Sequence, residues 1–269
     1  MVTKTFQFIS AVLLLFIFCV GGVLLKWTPL SPSNRRWVRI YFTHYLARIL
    51  AWCIRLEIKT QGESERNIGK LIVANHTSVL DAIVLAARSP CVFVTSVEIE
   101  ENPVLEFLAR TGGAIFIERR CRDRVEFDQS QIRQLLVQRF DVVLFPEGTS
   151  TDGTAVRRFK TGLFPAATES RAPIEPVCIY FELIDGQPVD EKNRDRIYYY
   201  GDHLMSSHLF RIFTNGRVKV HVQSLGETGT KPQEDAKEVA SICREQILGA
   251  LTALSMSHGL DPRVVDASM

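Results

Sequence analysis

The sequence predicts an α/β fold, a mostly parallel mixed sheet covered by helices, with an N-terminal membrane-associated two-helix segment ahead of it. Three observations carry this expectation. Short runs of apolar and β-branched residues recur at 71–74, 91–95, 114–117, 142–145, 174–181 and 218–222, with helix-like stretches between most of them. Strands buried on both faces read as such runs, and their alternation with helices selects a parallel sheet. Polar residues gather where the runs end, the edge at which open α/β sheets carry their functional groups. Finally, positions 5–25 contain no Asp, Glu, Lys or Arg over 21 residues.

As a helix, that apolar run is roughly 31 Å long, about the thickness of a hydrocarbon core. A secretory signal peptide competes with a membrane anchor. Its apolar region is usually shorter, however, and Gly21-Gly22 lies inside the run rather than at a clean cleavage site. Lys26, Arg35, Arg36 and Arg39 follow the run while Lys4 alone precedes it. A spanning helix would therefore leave the body on the cytoplasmic side, as at the inner membrane of a bacterium. A helix lying in one leaflet satisfies the same residues. Pro29 and Pro32 then break the chain, and Ser33 or Asn34 can cap a second helix reaching about Leu56. It mixes Trp37, Tyr41, Tyr45 and Trp52 with Arg35, Arg36, Arg39, Arg48 and Arg55, a pairing that suits lipid headgroups. An amphipathic helix packed on its own domain is the alternative. Residues 1–60 thus read as a membrane-anchoring helical hairpin and 61–269 as the α/β domain.

Charge supports this division. Residues 1–60 hold eight cations against Glu57 alone, so they carry +7 and the rest −5 of a total of +2. A basic, apolar front end fits anionic lipid, with no nucleic acid expected. The six cysteines show neither a CxxC pair nor metal-like Cys/His spacing. They read as reduced thiols in a cytosol-facing protein. No metal and no cofactor is implied.

The body begins with a buried strand at 71–74, and Thr77-Ser78 then offer caps for a helix through Asp81 to Ala87. A strand at 91–95 and a helix near 102–110 follow, with Pro103 in the first helical turn. Gly112-Gly113 leads into a strand at 114–117, ending at Glu118-Arg119-Arg120. The helix expected at 125–140 has Ile132, Leu135, Leu136 and Phe140 on one face. The strand at 142–145 runs into Pro146-Glu147-Gly148-Thr149-Ser150. The strand at 174–181 is expected to break at Pro176; a strand at 218–222 and a helix at 234–254 close the chain.

His76 stands at the end of the first body strand with Asp81 five residues on. A carboxylate there can hold one imidazole nitrogen as a donor and leave the other free to take a proton. Alone, such a histidine is more often hydrogen-bonded structure; the other strand ends change the weighting. Asn75-His76 with Asp81, Gly113 leading to Phe116-Ile117-Glu118-Arg119, Phe145-Pro146-Glu147-Gly148-Thr149 and the proline-bearing strand at Pro176-Val177-Cys178-Ile179 occur in one order. This set resembles the glycerolipid acyltransferases, and most of all those acting on 1-acylglycerol-3-phosphate. Phe159-Lys160-Thr161-Gly162 resembles the basic segment after their third motif.

The resemblance implies a membrane-bound O-acyltransferase that uses an acyl thioester, from acyl carrier protein or coenzyme A, to acylate a lysophospholipid and form phosphatidate. His76 would be the base and Asp81 its orienter. It further implies substrate-binding roles for Asn75, Gly113, Arg119, Phe145, Pro146, Glu147, Gly148, Thr149 and Lys160, with the Arg119 guanidinium suited to phosphate. Structural readings compete for Arg119, Glu147 and Lys160. Neither a GxSxG elbow nor a Walker phosphate loop is present. Two departures bear on the acceptor. Ser150 stands where relatives often carry Arg, and Val94-Thr95-Ser96-Val97-Glu98 lacks a Lys many place there. Fewer cations leave room for a lyso-ornithine lipid or another lysophospholipid. A membrane-anchored esterase or thioesterase, with His76 activating water, is the rival of another class, and a non-catalytic lipid-binding scaffold a further one.

Overall fold

A computed structural model describes residues 2–62, 68–118, 122–201, 205–214, 216–228 and 235–257. The described strands are β1 (Leu56–Gln61), β2 (Leu71–Ala74), β3 (Val92–Ser96), β4 (Ile115–Ile117), β5 (Val142–Leu144), β6 (Ile174–Ile184), β7 (Gln187–Pro188) and β8 (Val218–Ser224). They form one sheet in the order β1-β8-β6-β2-β5-β3-β4, with β7 paired to β6. Neighbours run parallel except where β6 meets β8 and β7, so the sheet is the mostly parallel mixed one expected.

Helices cover both faces: α1 (Val2–Lys26), α2 (Pro32–Cys53), α3 (Val79–Arg88), α4 (Pro103–Thr111), α5 (Val125–Val137), α6 (Pro165–Thr168), α7 (Met205–Thr214) and α8 (Ala236–Ser257). Side chains alternate across a strand, so each strand feeds two cores. Leu71, Val73, Val142 and Leu144 pack with Ile132 and Leu136 of α5 and Cys243 and Ile247 of α8. Ile72, Ala74, Val143 and Val177 pack on the other side with Leu80 and Val84 of α3 and Ile212 of α7. Burial of both faces is why these strands read as continuous apolar runs.

The N-terminal helices belong partly to this body. Along α2, Ile40, His44, Ala47 and Ala51 are buried; His44 Nδ1 lies 2.7 Å from the Ala86 carbonyl of α3, and the Trp37 and Phe140 ring centroids are 4.3 Å apart. Its opposite side exposes Tyr41, Tyr45, Ile49 and Trp52. The packing of this helix on its own domain is thus observed, while its other side leaves aromatic residues uncovered. In α1, Ile9–Lys26 has a mean hydropathy of 2.5, long and apolar enough to cross a membrane. It approaches the body closely through its glycines: a Cβ on Gly22 would lie 2.2 Å from Thr111 Cγ2 of α4.

Three local expectations change. The second helix stops at Cys53, not Leu56, because Arg55 turns left-handed (φ 56°) and Leu56–Gln61 becomes β1, parallel to β8. The alternation of Leu56 and Ile58 with Glu57 and Lys59 marks a strand, but it continues directly from an apolar helix. The helix expected to reach Phe140 ends at Val137, with Arg139 again left-handed (φ 65°). Pro176 does not interrupt β6, since it lies just outside the β8 ladder, which begins at Val177↔Ser224. Its missing N–H is therefore not needed there.

Candidate active site

The parallel register of β2 and β5 pairs Val73 with Leu144. Continuing each strand by three residues brings His76 level with Glu147, and the structure joins them: His76 N–H donates to Glu147 Oε1 at 2.8 Å. The chain then turns into α3, with Ser78 as N-cap and a capping box closed by Asp81. That position aims the carboxylate back at the turn. Asp81 Oδ2 accepts from Thr77 N–H at 2.6 Å and Ser78 N–H at 2.8 Å, and faces His76 Nδ1 at 2.9 Å. The carboxylate is fully buried at the helix N-terminus, with these two backbone amides donating to it. An oxygen acting as acceptor to all three neighbours requires the hydrogen on Nδ1, leaving the Nε2 lone pair of His76 available. The imidazole stacks on Phe145, with centroids 4.2 Å apart and planes 18° apart, and its side chain keeps 24% exposure. This geometry leaves Nε2 open to an incoming molecule while Asp81 and Phe145 fix the ring. Asp81 Oδ1 is buried without a hydrogen-bond partner among the described residues.

Glu147 serves the same loop from below. Its second oxygen, Oε2, accepts from Arg157 N–H at 2.9 Å, so one carboxylate clasps two backbone segments. It is only 4% exposed, and burial pushes its pKa up to about 7 against the pull of those two amides. Thr151 N–H donates to the His76 carbonyl at 2.9 Å, a second tie between the loops. Pro146 is buried and its carbonyl accepts from Lys160 N–H at 2.8 Å. Gly148 has φ +77°, and an added Cβ would meet Lys160 Nζ at 2.7 Å, so the lysine stem crosses the glycine. Thr149 is exposed beside it.

The remaining sequence candidates fall elsewhere. The Asn75 amide pairs both ways with the Ile179 backbone, donating at 2.9 Å and accepting at 2.8 Å, which links the end of β2 to β6. Gly113 sits at the opening end of β4, beside Arg39 and Ile40 of α2, whereas His76 lies beyond the closing end of β2. Arg119 lies outside the described residues. Sequence reasoning missed the segment Ile197 to Tyr199, which accepts from Ser78 Oγ at Ile197 and donates from Tyr199 N–H to the Thr77 carbonyl at 2.9 Å. These are backbone contacts and leave no mark in residue type. It also missed a cavity of about 370 Å³ beside the histidine loop, lined by Thr77, Thr151, Asp152 and Arg194 among others.

The family profile described as Acyltransferase matches residues 55–180. The chain is 33% identical to the lyso-ornithine lipid O-acyltransferase of Pseudomonas aeruginosa, over 74% of this chain and 70% of the relative. It is 29% identical to the lyso-ornithine lipid O-acyltransferase of Rhizobium meliloti, over 84% and 77%. The 1-acyl-sn-glycerol-3-phosphate acyltransferase of Neisseria meningitidis is 26% identical over 72% and 73%. In fold, the chain matches the crystal structure of the 1-acyl-sn-glycerophosphate acyltransferase from Thermotoga maritima with a TM-score of 0.67, covering 94% and 95% at 15% identity.

Proposed function

The chain belongs to the acyltransferase family, and from that premise we propose that His76 is the general base in acyl transfer from a thioester to a lysolipid hydroxyl. At the coarser level it is an acyltransferase for lysophospholipid-type acceptors. The observation that carries the finer reading is the Asp81–His76 pair at 2.9 Å, with Nε2 left free of partners among the described residues. In this mechanism Nε2 takes the proton of the acceptor hydroxyl as its oxygen attacks the thioester carbonyl. The C–S bond breaks, the sulfur leaves as thiolate, and the imidazolium returns the proton to it. An ester and a free thiol result, with His76 regenerated. Asp81 stabilises the imidazolium formed midway. The thioester is an acyl carrier protein or coenzyme A derivative; no further cofactor enters the scheme.

The acceptor we propose is a lyso-aminolipid of the ornithine type. Supporting it are the relatives that bear this name, Ser150 in place of a cation after the third motif, and the lack of lysine in Val94 to Glu98. Lysophosphatidate is the second reading, favoured by the ordered motif set and by the glycerophosphate-acylating relatives. The exposed apolar sides of α1 and α2 support membrane attachment, with the domain on the cytoplasmic face as the loop cations suggest. The deciding experiment offers a labelled acyl thioester to detergent-purified protein with lyso-ornithine lipid, lysophosphatidate or no acceptor. Labelled aminolipid establishes the first reading and phosphatidate the second. Free fatty acid without an acylated lipid would make the protein a hydrolase. His76→Ala should abolish transfer; wild-type rates in that variant would sink the mechanism.

A further inference from the structure

The cavity beside the histidine loop has chemistry of its own. Its wall includes Thr77, immediately after His76, and Thr151, whose N–H is bonded to the His76 carbonyl at 2.9 Å. It lies beyond the carboxyl ends of β2 and β5, where α3 leaves for one face of the sheet and the chain after β5 leaves for the other. Crevices of this kind are where open α/β sheets hold ligands. Inside, Asp152 is committed to the protein: Oδ1 accepts from Thr154 N–H at 3.1 Å and Thr154 Oγ1 at 2.6 Å, and Oδ2 faces Arg194 Nη1 at 3.2 Å. Two donors are left over. Thr77 is 5% exposed and its Oγ1 has no partner, and Arg194 Nε is likewise buried and unpartnered, among the described residues. Buried donors without acceptors are rare in a folded protein and point to a missing partner. At the mouth stand Asp190, Glu191 and Lys192, all exposed, with Asp190 Oδ1 accepting from Lys192 N–H at 2.9 Å.

We infer that this cavity is the headgroup site, and that it takes a zwitterionic amino-acid headgroup, which deepens and rests on the aminolipid reading above. The headgroup carboxylate meets Arg194 Nε and Thr77 Oγ1 inside, and the ammonium lies between Asp190 and Glu191 at the mouth. A phosphate monoester fits poorly here. It would face three carboxylates against two cations, one of which Asp152 already neutralises. Thr77 follows His76 directly, so a headgroup seated here holds its lipid against the loop that carries the base.

The test compares wild-type enzyme with Asp190→Asn/Glu191→Gln and with Thr77→Val, using lyso-ornithine lipid and lysophosphatidate in mixed micelles. Both acids are exposed and the Thr77 hydroxyl has no partner among the described residues, so the fold has little to lose. The double variant should reduce the preference for aminolipid over lysophosphatidate, as a ratio of kcat/KM, by roughly tenfold, and less so at high salt. Thr77→Val should raise the aminolipid KM several-fold. A ratio unchanged in the double variant, with wild-type enzyme acylating the aminolipid, overturns the cavity assignment and leaves the acceptor reading standing. Wild-type enzyme that acylates lysophosphatidate alone overturns both.

Discussion

Asp81→Asn separates the charge of the orienting carboxylate from its shape. Because Oδ1 has no partner among the described residues, the amide nitrogen can take its place and leave an oxygen where Oδ2 now accepts from Thr77, Ser78 and His76. The tautomer of His76 is then preserved, and what disappears is a negative charge facing the imidazolium. A hydrogen bond to a charged acceptor is worth about 1.5–3 kcal/mol against about 0.5–1.5 for a neutral one. The Coulomb energy of unit charges about 4 Å apart is roughly 4 kcal/mol at an effective dielectric of 20. Between these bounds, a loss of about 2–4 kcal/mol in transition-state stabilisation is expected, or roughly 30- to 1000-fold in kcat. Acceptor KM should change little, since the charge matters only once the proton has moved. Acyl transfer from a labelled thioester measures both constants. Thermal unfolding serves as the control, because a buried amide without an acceptor costs about 1–3 kcal/mol of stability. A folded variant retaining a third or more of wild-type kcat would refute the role assigned to Asp81.

Three further outcomes follow from the same geometry. Burial raises Glu147 from 4.5 to about 7, so the folded state keeps a proton that the unfolded chain has released. Its contribution to stability is full below about pH 4.5 and is lost as pH rises through 7, on the order of 3 kcal/mol. Glu147→Gln should flatten that slope in unfolding midpoints taken from pH 5 to 8; an unchanged slope would count against the buried charge. Asn75→Ala leaves the Ile179 N–H and carbonyl without side-chain partners and should lower stability by about 1–3 kcal/mol in denaturant unfolding. Stability within a few tenths of wild type would contradict the link. Tyr45→Glu with Trp52→Glu, on the exposed side of α2, should weaken association with anionic vesicles in a flotation assay. Full retention would remove that face from the membrane contact.

The fold was legible wherever burial leaves a compositional trace. Doubly buried β2 and β5 announce themselves as apolar runs, and the polar residues that follow them mark the edge of the sheet where the site lies. Asp81 was readable as a partner of His76 because both sit in one short turn. Register was not readable. That Asn75 would spend both amide groups on Ile179, a hundred residues away, depends on β2 lying beside β6. The two amides clasped by Glu147 belong to backbone, which is the same in every residue. β1 was hidden by its continuity with a helix, and the ties from Ile197 and Tyr199 are likewise main-chain. Arg194 carries no local sign that it lines a cavity with Thr77.

The peptide on either side of His76 is mounted almost entirely through its main chain. Glu147 takes the histidine's own N–H, Thr151 its carbonyl, and Asp81 the next two amides. The imidazole itself adds one bond and one stacked ring to that mounting. Such a frame does not need its occupant: with a small side chain at position 76 the socket keeps its outline and loses its reactivity. On the proposed mechanism, the His76→Ala protein is expected to hold thioester and acceptor together unreacted, long enough for both to be seen at once.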